Sequence, residues 1–307
     1  MSLLVVGTVA LDGLETPFGK VDKTIGGSGT YASLSASYFS KKTNLVGVIG
    51  GDFPQESIEM MQNMGIRTEG VQLKKDEKSF FWKGKYHLDL NSRDTLVTEL
   101  NVLADFDPLI PDTYQDCKYL MLGNLTPQIQ AIVIGRLQKR PKLILMDTMN
   151  FWISNTPDDL RETLKMVDVL SINDEEARQL SGEYSLIKAA RKVMDMGPKY
   201  LIIKKGENGA LLFHGHQIFF APALPLEEVF DPTGAGDTFA GGFIGYLAKS
   251  DDISFENMKR AIIYGSAMAS FCVGKFGTEG LIGLHAKDID NRVQEFVDLV
   301  QFEIDVA

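Results

Sequence analysis

Two cysteines in 307 residues, Cys117 and Cys272, are too few and too far apart for a disulfide framework. They read as structural thiols of a protein in a reducing cytoplasm. Positive charge is scarce as well: 31 Lys and Arg against 41 Asp and Glu leave a formal charge of −10. That balance excludes a sequence-independent hold on nucleic acid or on an anionic membrane surface. An anion must therefore be bound locally, by backbone amides, a metal or a few placed cations. Long apolar runs are also missing, and no stretch reaches the roughly 18–20 uncharged apolar residues of a membrane span. The N-terminal MSLLVVGTVALDG has neither a basic leader nor a small-residue cleavage site, and Gly7 and Asp12 interrupt it. It reads as a buried strand rather than a signal peptide, and a soluble, cytoplasmic chain is expected. No Gly-, Ser- or Pro-rich linker, low-complexity tract or internal repeat divides the sequence, which predicts a single domain over 1–307.

Familiar cofactor motifs are absent too. There is no G-x-x-x-x-G-K-[ST], so the chain is not a P-loop protein. GTVALDG follows the first apolar run in place of G-x-G-x-x-G, which argues against a dehydrogenase. H-E-x-x-H is missing, and His214 and His216 flank a predicted hairpin turn with no third ligand in view. His87 and His285 are isolated.

What is present is an alternation. Short apolar runs at Leu3–Val6, Leu45–Ile49, Tyr119–Leu122, Leu143–Met146, Val169–Ile172 and Leu201–Ile203 suit strands buried on both faces of a parallel sheet. Helical patterns fall between them at Tyr31–Phe39, Gln55–Met64, Gln128–Gln138, Pro157–Met166, Asp174–Leu180 and Leu186–Met196. This predicts an α/β fold, a doubly wound and mostly parallel sheet flanked by helices, with binding residues at the carboxyl ends of the strands. A hairpin over Ala210–Phe220 and helices at Phe255–Phe271 and Ala286–Val300 complete it. SFFWKGKY (Ser79–Tyr86) has another texture and reads as two short aromatic strands with a turn at Lys83-Gly84-Lys85. With residues 11–25 and the polar stretch to 106, it is expected to form a small β-sheet lid over the main sheet.

Three strand-end clusters can do chemistry. In DPTGAGDTFAGGF (231–243), Pro232 ends the preceding segment and Gly234-Ala235-Gly236 opens a helix. Bare N–H groups there, with the positive end of the helix dipole, make an anion site without any cationic side chain. Asp237 in the first turn is either a helix cap, worth about 1 kcal/mol, or a reactive carboxylate. Gly241 and Gly245 share a helix face, so the helix is expected to lie tightly against a neighbour. Asn173 and Glu176 match a capping box, or they face a phosphate–magnesium group, since Mg²⁺ favours one or two carboxylates with water and phosphate oxygens. Lys204-Lys205-Gly206-Glu207-Asn208-Gly209 is a tight turn at a third strand end.

In this order, DPTGAGDTFAGGF resembles the C-terminal signature of the ribokinase-like carbohydrate kinases, the PfkB family, and Ile25-Gly26-Gly27-Ser28-Gly29 resembles its N-terminal di-glycine signature. The resemblance runs from residue 3 to about 285 and implies a ribokinase-like fold and an ATP-dependent phosphotransferase. Asp237 would be the base, with the amides of Gly234, Ala235 and Gly236 holding the transferring phosphoryl group. A carboxylate at a helix N-terminus is expected to have a depressed pKa; phosphoryl transfer tolerates that, because positioning and charge stabilisation supply most of the catalysis. The resemblance further implies that Asn173 and Glu176 organise Mg²⁺ through water. Lys205, Gly206 and Gly209, with Ser266 and Gly277 of the 266–277 stretch, would border the ATP. Asp12, Gly26 and Gly27 would meet the acceptor, joined by Tyr31 and Asn124. A monovalent cation such as K⁺ would sit near Asp231 and Thr233.

The expected acceptor is the hydroxymethyl group of a small sugar. Ser28-Gly29-Thr30-Tyr31 stands where ribokinase itself has Lys-Gly-Ala-Asn, which weakens ribose, while Tyr31, Phe80, Phe81, Trp82 and Tyr86 offer faces for a base. A nucleoside kinase of adenosine, inosine or cytidine type is therefore the alternative on the same fold, and a non-catalytic nucleotide or sugar sensor the alternative of another class. The aromatic lid also suits a homodimer contact.

Overall fold

The computed structural model describes residues 2–301; Met1 and residues 302–307, part of the expected 1–307 span, lie outside the described residues. Along the chain come β1 (Ser2–Val6), β2 (Ala10–Thr16), β3 (Gly19–Gly26), α1 (Ser28–Ser37), β4 (Lys42–Gly50), α2 (Gln55–Asn63), β5 (Ile66–Lys74), β6 (Phe81–Tyr86) and β7 (Arg93–Glu99). Next are β8 (Tyr119–Leu122), α3 (Pro127–Arg136), β9 (Leu143–Asp147), α4 (Asn150–Asn155), α5 (Pro157–Leu164), β10 (Val169–Asn173), α6 (Asp174–Ser181), α7 (Leu186–Met194) and β11 (Tyr200–Lys204). The chain then forms β12 (Ala210–His214), β13 (Gln217–Ala221), α8 (Ala235–Ser250), α9 (Phe255–Cys272) and α10 (Ala286–Val300).

Nine strands form the main sheet in the order β13-β12-β11-β10-β9-β8-β1-β4-β5. The seven strands from β11 to β5 in that order run parallel, and the β12–β13 hairpin adds two antiparallel strands at one edge. Burial on both faces explains the near-continuous apolar runs of the central strands. One face packs on α1, α2, α8 and α9, the other on α3 to α7, which gives two separate cores. Chain order reverses between β1 and β8, where the carboxyl ends open a crevice. Edge strand β5 and the short helix α4 carry weak periodicity and were not anticipated from the sequence.

Helix α8 lies between α1 and α9 at close range, as its glycines predict. A side chain at Gly241 would strike the Ala32 carbonyl, one at Gly245 would come within 2.9 Å of Ala36, and one at Gly242 within 3.1 Å of Gly265. Ser35 of α1 donates to the Thr238 carbonyl at 2.7 Å, pinning the first turn of α8.

The lid is a four-stranded mixed sheet, β3-β2-β6-β7. It differs from expectation in two respects. Residues 81–86 form one strand, not two with a turn, because the irregularity at Lys83-Gly84 is a β-bulge that leaves Leu96 of β7 as an extra residue. The lid also ends at Glu99, since Val102 and Phe106 are buried in the core of the main sheet. Cys117 and Cys272 are buried free thiols. Among the described residues no helix is long and apolar enough to cross a membrane.

Candidate active site

Polar residues gather where the parallel strands end: Thr8 just past β1, Asn124 past β8, and Asp147, Asn173 and Lys204 as the last residues of β9, β10 and β11. Asn173 and Lys204 are register partners, so the strand ladder itself sets their spacing. Lys204 places its ammonium 3.4 Å from Asp147 Oδ2, both side chains being largely buried. Burial alone disfavours the Lys204 charge, but Asp147, Glu176 and Asp237 around it hold its pKa above the ordinary value. A Cβ at position 236 would lie 3.0 Å from Lys204 Nζ, so Gly236 lets this cation reach the start of α8.

That start presents unpartnered backbone amides. Gly234 adopts φ 72°, a left-handed conformation, with the Tyr31 ring against its Cα, so a side chain there is excluded twice over. The Ala235 N–H bonds the Pro232 carbonyl at 3.2 Å, whereas the amides of Gly234, Gly236 and Asp237 have no partner among the described residues. Of the expected trio, Ala235 is engaged within the chain, and Asp237 adds an unpartnered amide beside those of Gly234 and Gly236. The three residues are half-buried, which leaves their N–H groups reachable.

Asp237 also departs from the expected depressed pKa. Burial, then the nearby Asp147 charge, push its carboxyl well above the usual range, against the pull of Lys204 and Arg93. Glu176 forms the predicted capping box, accepting from Asn173 N at 2.7 Å while Asn173 Oδ1 accepts from Glu176 N at 2.7 Å. Burial pushes its carboxyl to about 7, with Lys204 opposing. Asp12 is pushed to about 7 by burial and by Asp231 and Asp237. The carboxylate of Asp12 occupies the space a side chain at Gly26 would need, and Gly27 (φ 94°) presses on the Thr8 carbonyl.

Other expected contacts are placed differently. Tyr31 is 1% exposed and supports Gly234 from beneath, so it offers no face to an acceptor. Asn124 accepts from Trp152 Nε1 at 2.8 Å and donates to Met149 Sδ. Lys205 helps close the Gly206–Gly209 turn through its backbone, and its ammonium lies over Phe220; Lys204 is the cation that enters the site. Gly277 donates its amide to Asp231 Oδ2 at 2.8 Å and faces Thr24 of β3, on the lid side. Ser266 is half-buried on α9, beside the Gly265 contact with Phe239. Asp231 Oδ1 accepts from Thr233 N at 2.9 Å and its Oδ2 from Gly277 N, so each carboxylate oxygen holds one backbone amide. His214 is stacked on Tyr200 and Phe255 and bonds the Lys199 carbonyl. Lys204 was given no role from sequence, although the signal was available: it closes a buried parallel strand.

The lid is seated on this loop. Thr233 Oγ1 donates to the Tyr86 hydroxyl of β6 at 3.0 Å, and Phe18, in the β2–β3 turn, meets Phe230 edge-on at 6.0 Å. The Gly206 turn touches Asn91 in the β6–β7 connection. Asp237, the unpartnered amides, the buried acids and the lid thus surround one crevice. Residues 8–282 match the pfkB family carbohydrate kinases. The chain belongs to that family.

This pfkB kinase is ATP-dependent, and its relatives fall on both sides of the acceptor question. It is 34% identical over 251 residues to the cytidine kinase of Thermococcus kodakarensis, covering 80% of this chain and 88% of that protein. The nucleoside kinase of Burkholderia thailandensis solved in complex with inosine superposes with a TM-score of 0.74 at 19% identity, over 95% of this chain and 98% of that one. An E. coli protein solved in complex with ATP and Mg²⁺ gives 0.77 at 17%, over 95% and 99%.

Proposed function

We propose that this pfkB kinase transfers the γ-phosphoryl group of ATP to the primary ribose hydroxyl of a nucleoside, with cytidine as the first candidate. The free small sugar expected from the motifs gives way to the nucleoside alternative. The observation that supports this best is the 34% identity to a cytidine kinase over most of both chains, and the lid adds a physical reason. Trp82 is the parallel register partner of Asp12, so both side chains leave the sheet on the same side. The indole lies across Gly84, where any side chain would collide with it, and its Nε1 donates to Thr95 Oγ1 at 3.3 Å. Tyr86 is engaged by Thr233, and Phe81 packs toward the core beside Gly13. Among the β6 aromatics, Trp82 is therefore the one left to stack on a base while Asp12 takes ribose hydroxyls.

In this reading the acceptor oxygen forms its bond to the γ-phosphorus as the bond to the β–γ bridging oxygen breaks, and ADP leaves. Asp237 accepts the hydroxyl proton. The amides of Gly234, Gly236 and Asp237 and the Lys204 ammonium hold the phosphoryl oxygens, where preorganised charge does most of the work. The donor set fits Mg²⁺: it is all oxygen, and three carboxylates surround one ammonium. Among the described residues no three His, Cys, Asp or Glu side chains converge on one metal position. Glu176 would accordingly hold the ion through water, with phosphate oxygens completing it, and the bound ion supplies neutralisation of the phosphate charge. A monovalent ion is assigned no step.

The test is a panel of nucleosides and free sugars with Mg·ATP, read as kcat/KM. Cytidine or another nucleoside should lead, and Trp82→Ala should weaken nucleoside KM by roughly 5- to 100-fold, the range set by about 1–3 kcal/mol of base stacking. A free sugar leading the panel, with Trp82→Ala silent, would reinstate the sugar reading.

A further inference from the structure

Across the main sheet, the carboxyl ends of the parallel strands present Lys204, Asn173, Asp147, Asn124 and Thr8 in that order. Asn124 stands past the charged cluster, at the β8–β1 switch where the crevice opens toward Asp12. Its strand end is braced. The fully buried Gln130 of α3 donates through Nε2 to the Gly123 carbonyl at 2.8 Å and to the Asp147 carbonyl at 2.9 Å, tying β8 to β9.

A carboxamide has one accepting and one donating end, and half a turn of the group exchanges them. A neighbour decides the turn here. The indole Nε1 of Trp152 in α4 can only donate, and it does so to Asn124 Oδ1 at 2.8 Å. The oxygen is thereby taken, and Nδ2 faces Met149 Sδ at 3.0 Å, a weak acceptor. That nitrogen carries two hydrogens, and it has no oxygen or nitrogen partner among the described residues. Asn124 is only half-buried, so a fixed and unsatisfied donor stays within reach of a bound molecule.

A donor of fixed direction separates the two pyrimidines. Ring atom N3 of cytosine accepts a hydrogen bond, whereas N3 of uracil carries a hydrogen of its own. We infer that Asn124 is a specificity-determining residue that donates through Nδ2 to N3 of a cytosine base, with Trp152 the positioning residue that keeps the donor turned toward it. Uridine would set N–H against N–H and leave both without an acceptor. The inference rests on the nucleoside reading proposed above, and adds which edge of the base is read and by which group.

Initial rates with Mg·ATP on cytidine, uridine and 3-deazacytidine, whose ring has C–H in place of N3, test it. Wild type should favour cytidine over each of the other two by about 5- to 150-fold in kcat/KM, the range for leaving one buried donor unmet. Trp152→Phe frees the amide to turn, so its cytidine-to-uridine ratio should fall toward one. Asn124→Asp offers only accepting oxygens when ionised and should shift the ratio toward uridine. A general loss of structure would lower the rates on both nucleosides without reversing their order. Equal use of cytidine and 3-deazacytidine by wild type, or a wild-type ratio in both variants, overturns the role of Asn124 and leaves the nucleoside reading standing. Turnover of free sugars with none of any nucleoside removes that reading, and this inference with it.

Discussion

At Asp237 two effects of opposite sign meet. The α8 N-terminus favours a negative charge by roughly 0.3–1 kcal/mol, up to about 2 in a buried setting, whereas each pKa unit corresponds to about 1.4 kcal/mol. Burial and the neighbouring Asp147 prevail, and the carboxyl is held well above its ordinary range. A base must be ionised, so kcat/KM should fall with an acid limb near neutrality rather than near pH 4, a limb belonging to the coupled acids. Asp147→Asn removes the second-largest cause of the shift and should move that limb to lower pH; an unmoved limb would dissociate Asp147 from the base. Glu176, also raised to about 7, links to stability. The folded state binds its proton more tightly than the unfolded chain, so this group destabilises the fold progressively as pH rises from about 4.5 through about 7. Glu176→Gln should therefore raise stability at pH 8 by on the order of 1–3 kcal/mol, shrinking toward zero by pH 4, while activity drops. Urea melts at the two pH values check it. Asp237 and Glu176 were legible in the sequence because their neighbours in the chain mark them. Their protonation was not, because Asp147 and Lys204 arrive from other strands.

The elements teach the same lesson about local and distant signals. Central strands were plain from their apolar runs, and the tight seat of α8 from the spacing of Gly241 and Gly245, because both patterns are written within a few residues. The lid was read as a β layer but with the wrong internal layout: a bulge is defined by a partner strand, and nothing in SFFWKGKY reveals that Leu96 is the extra residue. Helix packing gives a paired prediction. Gly241→Val drives a branched side chain into the Ala32 carbonyl and should destabilise by about 1–3 kcal/mol or more. Gly135→Ala in α3, where a Cβ meets nothing within 4 Å, should stabilise by about 0.5–1 kcal/mol. Equal effects of the two in chemical denaturation would contradict the packing described.

Across the whole molecule, a strongly acidic chain concentrates three unpartnered amides and one buried lysine in a single crevice, the groups that hold the polyanion in the proposed reading. The start of α8 supplies Asp237 and the unpartnered amides, the lid supplies Asp12 and Trp82, and the Tyr86–Thr233 bond ties them together. The chain order of the motifs made the reaction legible from sequence. The acceptor was not, since the residues proposed to meet it, Asp12 of β2 and Trp82 of β6, share no local pattern. The most direct test of the account is single-turnover phosphoryl transfer from Mg·ATP by Asp237→Asn, with calorimetric binding of a non-hydrolysable ATP analogue measured on the same preparation. Loss of transfer by about 10²–10⁴-fold, the usual contribution of a general base, with analogue affinity within about threefold of wild type, is the result predicted. Transfer at the wild-type rate would contradict it.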